Sequence, residues 1–146
     1  MVRGQEATGG HRPVLVSALD YAKRGWRLIP LHSLDAAGCC TCRHSDCQSQ
    51  GKHPRTEKGL KDASNDPAVL DAWFNTMYPS LANIAVVTGA GSGVVGLDID
   101  PRHGGDRGLK ALIEDIGGLP ETLTAKTGGG GLHVFFQRPG YHLTDA

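Results

Sequence analysis

No apolar run in this 146-residue chain approaches the ~20 residues that a membrane-spanning helix needs, and its N-terminus carries no signal-type hydrophobic segment. These two absences argue for a cytoplasmic protein without a membrane partner, in which thiols stay reduced. Net charge is absent too, with 15 basic residues against 15 acidic ones. Any nucleic-acid partner must therefore be held by a local basic patch and not by bulk charge. No internal repeat and no low-complexity block beyond short glycine runs is present, which excludes a solenoid. Aromatic residues make up only 5 % of the chain, whereas glycine is abundant at 21 residues, so tight turns beside functional loops are expected. The length suits one domain with a real core.

Of the stretches present, Val94–Asp100 is the one around which the chain is organised. Val95, Leu97 and Ile99 alternate with Gly96, Asp98 and Asp100. As a strand, this puts an apolar face opposite a face with two carboxylates and a glycine. Acids at i and i+2 stand ~7 Å apart on a strand rising ~3.3 Å per residue, within reach of one divalent cation or a close pair. Gly96 leaves that face without bulk where a ligand can approach. The plainer reading is a solvated strand end running into the turn Pro101–Gly105.

Cysteine is missing everywhere except between Cys39 and Cys47. Cys40, Cys42, Cys47 and His53 make a C-x-C-x4-C-x5-H set, with Cys39 and His44 as possible substitutes. Three thiolates and an imidazole form a closed tetrahedral zinc site of the structural kind. Free thiols or one disulfide are the alternatives, and a reducing compartment argues against the disulfide. From Arg43 to Lys61 the chain carries five basic side chains against two acids, suiting a metal-pinned loop that grips phosphates. An ordinary solvated loop would have the same charge.

Periodicity places the remaining elements. Pro13 suits the first turn of a helix whose apolar positions are Val14 or Leu15, Ala18, Leu19 and Ala22, with Gly25 as its stop. Trp26–Pro30 and Ile84–Thr88 read as strands. Asp66-Pro67 opens a second helix with Leu70, Trp73, Phe74 and Met77 on one buried stripe. Gly89–Gly93 is expected to be a hairpin turn, since a strand follows it where a phosphate-binding glycine loop would lead into a helix. Asp106 caps a third helix, with Leu109, Leu112, Ile113 and Ile116 as its buried stripe and Gly117-Gly118 as its stop. Thr122–Lys126 and Leu132–Gln137 read as strands flanking Gly128–Gly131. His133 follows that turn, where backbone amides are exposed and a ligand can come close.

Gly96-Leu-Asp-Ile-Asp-Pro-Arg-His-Gly-Gly105 and Thr127-Gly-Gly-Gly-Gly-Leu-His133 resemble the first two motifs of the bifunctional DNA primase/polymerase N-terminal (prim-pol) domain. That group belongs to the archaeo-eukaryotic primase superfamily and is common in plasmids, phages and integrated elements. Ala22–Pro30 resembles its opening helix and strand, Gly51–Pro54 with Gly59–Ala63 its basic loop, and Asn83–Gly89 the strand before the first motif. The resemblance runs from about residue 14 to 139.

The resemblance implies an α/β (α+β) fold: an RRM-like primase-polymerase palm with a mixed or antiparallel sheet flanked by helices and a small zinc-binding loop. Its frame is a flexible tail over 1–12 and a catalytic domain over 13–146, with a zinc-binding insertion at about 38–55. It implies template-directed nucleotidyl transfer with Mg2+ or Mn2+ held by Asp98 and Asp100. His133 would contact the incoming nucleotide, helped by backbone at Gly129 and Gly130, with Lys52 and Lys126 as weaker phosphate contacts. DNA template and primer, NTP or dNTP, and a helicase domain or protein are the implied partners. The third motif of the family, a further carboxylate on a later strand, has no counterpart before Ala146, and Asp145 lacks a strand pattern. The catalytic domain is thus expected to be incomplete at its C-terminus, with weak or absent polymerase activity. A non-catalytic zinc and nucleic-acid-binding remnant is one alternative. Another Asp-x-Asp enzyme, a nucleotide-sugar transferase or phosphohydrolase, is a second.

Overall fold

The apolar spacing of Val14, Leu15, Ala18, Leu19 and Ala22 closes into helix α1 (Val14–Ala22). Gly25, at φ +83°, ends it by donating its amide to the Ala22 carbonyl at 2.8 Å. The structure is a computed structural model that describes residues 14–79 and 82–141. The tail 1–12, Pro13 and Asp145 lie outside the described residues. The fold is mixed α+β with two small antiparallel sheets, and the chain forms two compact units divided between Val87 and Thr88.

In the first unit, β1 (Arg27–His32) pairs antiparallel with β2 (Ala82–Val87), Arg27 opposite Val87 and His32 opposite Ala82. Both strands are shifted by one or two residues from their sequence-based bounds. Leu28, Ile29 and Pro30 are buried, so β1 is the spine of the unit. Isolated bridges to Ser64 and Pro54 cover it further.

Helix α2 (Pro67–Asp71) starts as expected, with the Asp66 carboxylate accepting the Ala68 amide at 2.8 Å. From Ala72 to Met77 it widens into a π-helical turn, and the Tyr78 amide reaches back five residues to the Trp73 carbonyl at 2.8 Å. That turn corrects the expected stripe. Leu70 and Phe74 join Ala18, Leu28 and Ala82 in the core, and Trp73 packs against its edge. Met77, however, is 56 % exposed, because each residue of a wider turn advances through a smaller angle and carries the side chain off the buried face.

In the second unit, β3 (Val94–Ile99) and β4 (Thr124–Lys126) flank β5 (Leu132–Gln137), all antiparallel, in the order β3-β5-β4. The turn Gly89–Gly93 closes through a single bridge, Gly89 opposite Val94. It is not the hairpin expected, since β2 pairs with β1 and β3 with β5. Helix α3 (Gly105–Ile116) follows a 3-10 turn at Pro101–His103 and stops at Gly117, φ +81°. Gly104, not Asp106, stands at its N-cap. Its apolar stripe is only partly covered: Leu109 and Leu112 are half-buried, while Ile113 and Ile116 are exposed. A sheet of three strands, one of them three residues long, offers too little area for the whole stripe.

Candidate active site and metal centre

The sequence-predicted site residues fall into two groups, one in each unit. In the first unit, the end of β1 carries a metal-binding arrangement. Cys40, Cys42, Cys47 and His53 bring one donor atom each to within 4.8 Å of one another. His53 Nε2 lies 3.5 Å from Cys40 Sγ and 3.6 Å from Cys47 Sγ. A tetrahedron with Zn–S ~2.3 Å and Zn–N ~2.0–2.1 Å has N···S edges of about 3.5 Å, which the two His53–cysteine separations match, so the group could hold zinc. Cys39 and His44, the possible substitutes, are exposed and stand outside the group.

The loop is held by its own backbone. Arg43 adopts a left-handed conformation, φ +63°, as the chain turns after Cys42, and its amide bonds the Cys40 carbonyl at 2.9 Å. Asn83 on β2 donates to the Gly51 carbonyl at 2.9 Å, and the His32 and His53 rings stack at 4.3 Å. Burial pushes the Cys40 thiol up, but amide donors from Cys42 and Gly51, with the contacts to His53 and Cys42, outweigh it and bring the thiol down to about 6. A thiol so placed is a thiolate at neutral pH, the form that ligates metal. Lys52 is exposed on this same loop.

In the second unit, register does the positioning. Asp98 stands directly opposite His133 on the β3–β5 ladder, and His133 Nε2 lies 3.5 Å from Asp98 Oδ1. Both side chains are solvent-accessible. Gly96, on the same face, does not leave the open space expected of it: Phe135 stands opposite, its ring 3.8 Å from where a Cβ would be. The Phe135 ring also meets His133 edge-on at 6.3 Å, which supports the imidazole from one side.

Asp100 lies one residue past β3 and is turned into the chain that follows. Its Oδ1 accepts the Arg102 amide and Nε, both at 3.0 Å, and its Oδ2 accepts Arg102 Nη2 at 2.8 Å. His103 Nδ1 is 3.1 Å from the same Oδ2. The Arg102 side chain and amide hold the Asp100 carboxyl well below the usual carboxylate range. Sequence reading gave Arg102 and His103 no role of their own. Their position directly after the Asp-x-Asp strand was the signal available.

The glycine turn packs against this segment. Thr127 organises it, donating its amide to the Gly131 carbonyl at 2.9 Å and accepting the Gly131 amide on Oγ1 at 2.9 Å. Gly131 is required by close approach, since a Cβ there would sit 2.3 Å from the Ile99 carbonyl oxygen. The Gly130 amide is already taken by the Thr127 carbonyl at 3.1 Å. Within this turn, the amides of Gly128 and Gly129 have no partner among the described residues. Gly129 also abuts Arg102, whose Cζ is 3.4 Å from the position a Cβ would take. Lys126 pairs with Leu132 and Ala125 with His133, so Lys126 leaves the sheet on the face opposite the imidazole.

Exposed oxygen and imidazole donors on one rung, a second carboxylate just beyond it and open amides in an adjacent turn suit a hard divalent cation and an anionic ligand. Compared with known protein families, the chain matches the family model described as "Bifunctional DNA primase/polymerase, N-terminal" over residues 18–145. No curated protein and no solved structure matches it.

Proposed function

Because this chain belongs to the bifunctional DNA primase/polymerase N-terminal family, we propose that it is the nucleotide-binding and metal-binding part of a template-directed nucleotidyltransferase. One observation carries the reading: Asp98 and His133 share a rung of the β3–β5 ladder. Asp98 and Asp100 hold Mg2+ or Mn2+, whose carboxylate preference they match. Bound there, such cations lower the charge cost of activating a 3′-hydroxyl and of releasing pyrophosphate. His133 donates a hydrogen bond to a phosphate of the incoming nucleotide, and Phe135 keeps its ring from swinging away. The glycine turn contributes through the amides of Gly128 and Gly129. Gly130, whose amide is engaged, shapes the turn at φ +81°. The Cys40, Cys42, Cys47 and His53 group holds zinc, with four protein donors and no place for a substrate. The RRM-like palm, the template and primer DNA, and phosphate contacts by Lys52 and the basic loop around it belong to the same proposal.

The test is calorimetric titration of dNTP with Mn2+ present, comparing the chain with Asp98→Ala/Asp100→Ala and with His133→Ala. Binding that needs the metal and is lost in both variants is the expected result. A folded, zinc-loaded sample that binds no nucleotide would refute the reading. One observation favours a second reading, a non-catalytic zinc and nucleic-acid-binding module: Asp100 is fully engaged by Arg102 and His103. On that reading the Asp98 and Asp100 substitutions leave nucleic-acid binding intact or stronger, and no metal–nucleotide complex forms.

A further inference from the structure

We propose that Arg102 is an exchangeable clamp, which gives up Asp100 to a divalent cation and takes a phosphate of the nucleotide instead. The inference rests on the functional reading above and assigns a residue that the reading does not use.

Three observations carry it. The first is competition for the same oxygens. Arg102 takes Asp100 Oδ1 through Nε and Oδ2 through Nη2, so a cation bound by Asp100 meets a guanidinium already seated on both oxygens. With the Arg102 amide and Nε on Oδ1 and Arg102 Nη2 and His103 Nδ1 on Oδ2, the acceptor sites of this carboxylate are filled, so a cation binds there only by displacing a donor.

The second is that the guanidinium has room to move. The Arg102 side chain is 65 % exposed, and its Nη1 has no partner among the described residues. The Asp100 carboxylate is only 24 % exposed and the pair is two-pronged, so the guanidinium moves when a cation competes for the same oxygens and not of itself. The amide of Arg102 remains bonded to Asp100 Oδ1 and tethers the residue while its side chain moves.

The third is the destination. The guanidinium lies against Gly129, next to the two open amides of Gly128 and Gly129. A planar fork and adjacent amides make a composite site for a phosphate, which the fork matches by paired hydrogen bonds. A side chain at position 129 would occupy that approach, its Cβ already 3.4 Å from Arg102 Cζ.

The arrangement predicts effects of opposite sign on two ligands. In calorimetric titrations of the full chain, Arg102→Ala binds MnCl2 alone roughly two- to fivefold tighter, because an exposed competitor is gone. With saturating Mn2+, the same variant binds dGTP on the order of tenfold more weakly, having lost a charge-assisted contact. Arg102→Lys keeps the charge without the fork and falls between wild type and alanine for dGTP. Arg107→Ala, a neighbouring cation outside the pair, leaves both affinities unchanged. A merely structural role for Arg102 would weaken both ligands together, and that result overturns the clamp, as does unchanged dGTP affinity in Arg102→Ala. Wild-type protein that binds Mn2+ but no dGTP overturns the functional reading and the clamp with it. Wild-type dGTP binding that Arg102→Ala leaves intact overturns the clamp alone.

Discussion

At the scale of single residues, two glycines near the proposed site are fixed by contact with backbone. A Cβ at Gly131 would lie 2.3 Å from the Ile99 oxygen, and one at Gly105 would lie 2.5 Å from the Asp100 nitrogen. Neither neighbour can swing aside as a flexible side chain would. Gly131→Ala is therefore expected to cost roughly 1–3 kcal/mol, as overpacked interiors do. Gly108, inside α3 with nothing near its missing Cβ, should behave in the opposite way. Gly108→Ala should stabilise by about 0.5–1 kcal/mol, since alanine loses less freedom in a helix. Urea denaturation of the two variants checks the pair, and equal signs would contradict the geometry. The residues that alternation could reveal, Asp98 and His133, were legible, because a strand puts every second side chain on one face. Asp100 was legible as an acid but not as a partner of Arg102. That bond depends on a side chain folding back over a turn, which spacing does not encode. Gly96 misled for the same reason, as its space is filled from the opposite strand by Phe135.

At the scale of elements, helices α1 and α2 were read correctly as far as they stayed α-helical. Helix α1 buries Ala18 as its spacing requires, and Asp66 caps α2. The stripe on α2 failed at Met77, where the π turn changes the angle per residue, and α3 failed where the sheet ran out beneath Ile113 and Ile116. The first failure is a change of the local period itself, and the second is tertiary context leaving a regular stripe uncovered. The contrast on α2 is measurable. Leu70→Ala, at a fully buried position, should cost about 2–5 kcal/mol. Met77→Ala should stay within about 0.5 kcal/mol, the usual range for surface positions. A Met77→Ala cost close to that of Leu70→Ala in urea titrations would place Met77 back in the core.

At the scale of the whole molecule, the first unit joins an apolar core of α1, α2, β1 and β2 to a loop that brings Cys40, Cys42, Cys47 and His53 together. Purified protein is expected to carry stoichiometric zinc, and Cys42→Ser to lose it, by metal analysis. Chelation should strip amide protection in hydrogen exchange from the loop bonds between β1 and residues 53–64 while leaving β3 and β5 protected. Loss of protection throughout would assign the metal a wider role. Because ligation needs deprotonated thiols, acidification should release the zinc. The pairing of Asp98 with His133 also says where this protein tolerates change in length. The ladder alone sets which residues meet, and Thr122 and Leu123 already bond Phe135 on it, so the stretch from Gly117 to Glu121 joins two elements without setting their register. Doubling such a connection costs only about 0.6 kcal/mol of closure entropy. A reporter peptide or an extra loop inserted there leaves the rung in place, whereas one residue added within β3 or β5 turns every later side chain of that strand to the other face.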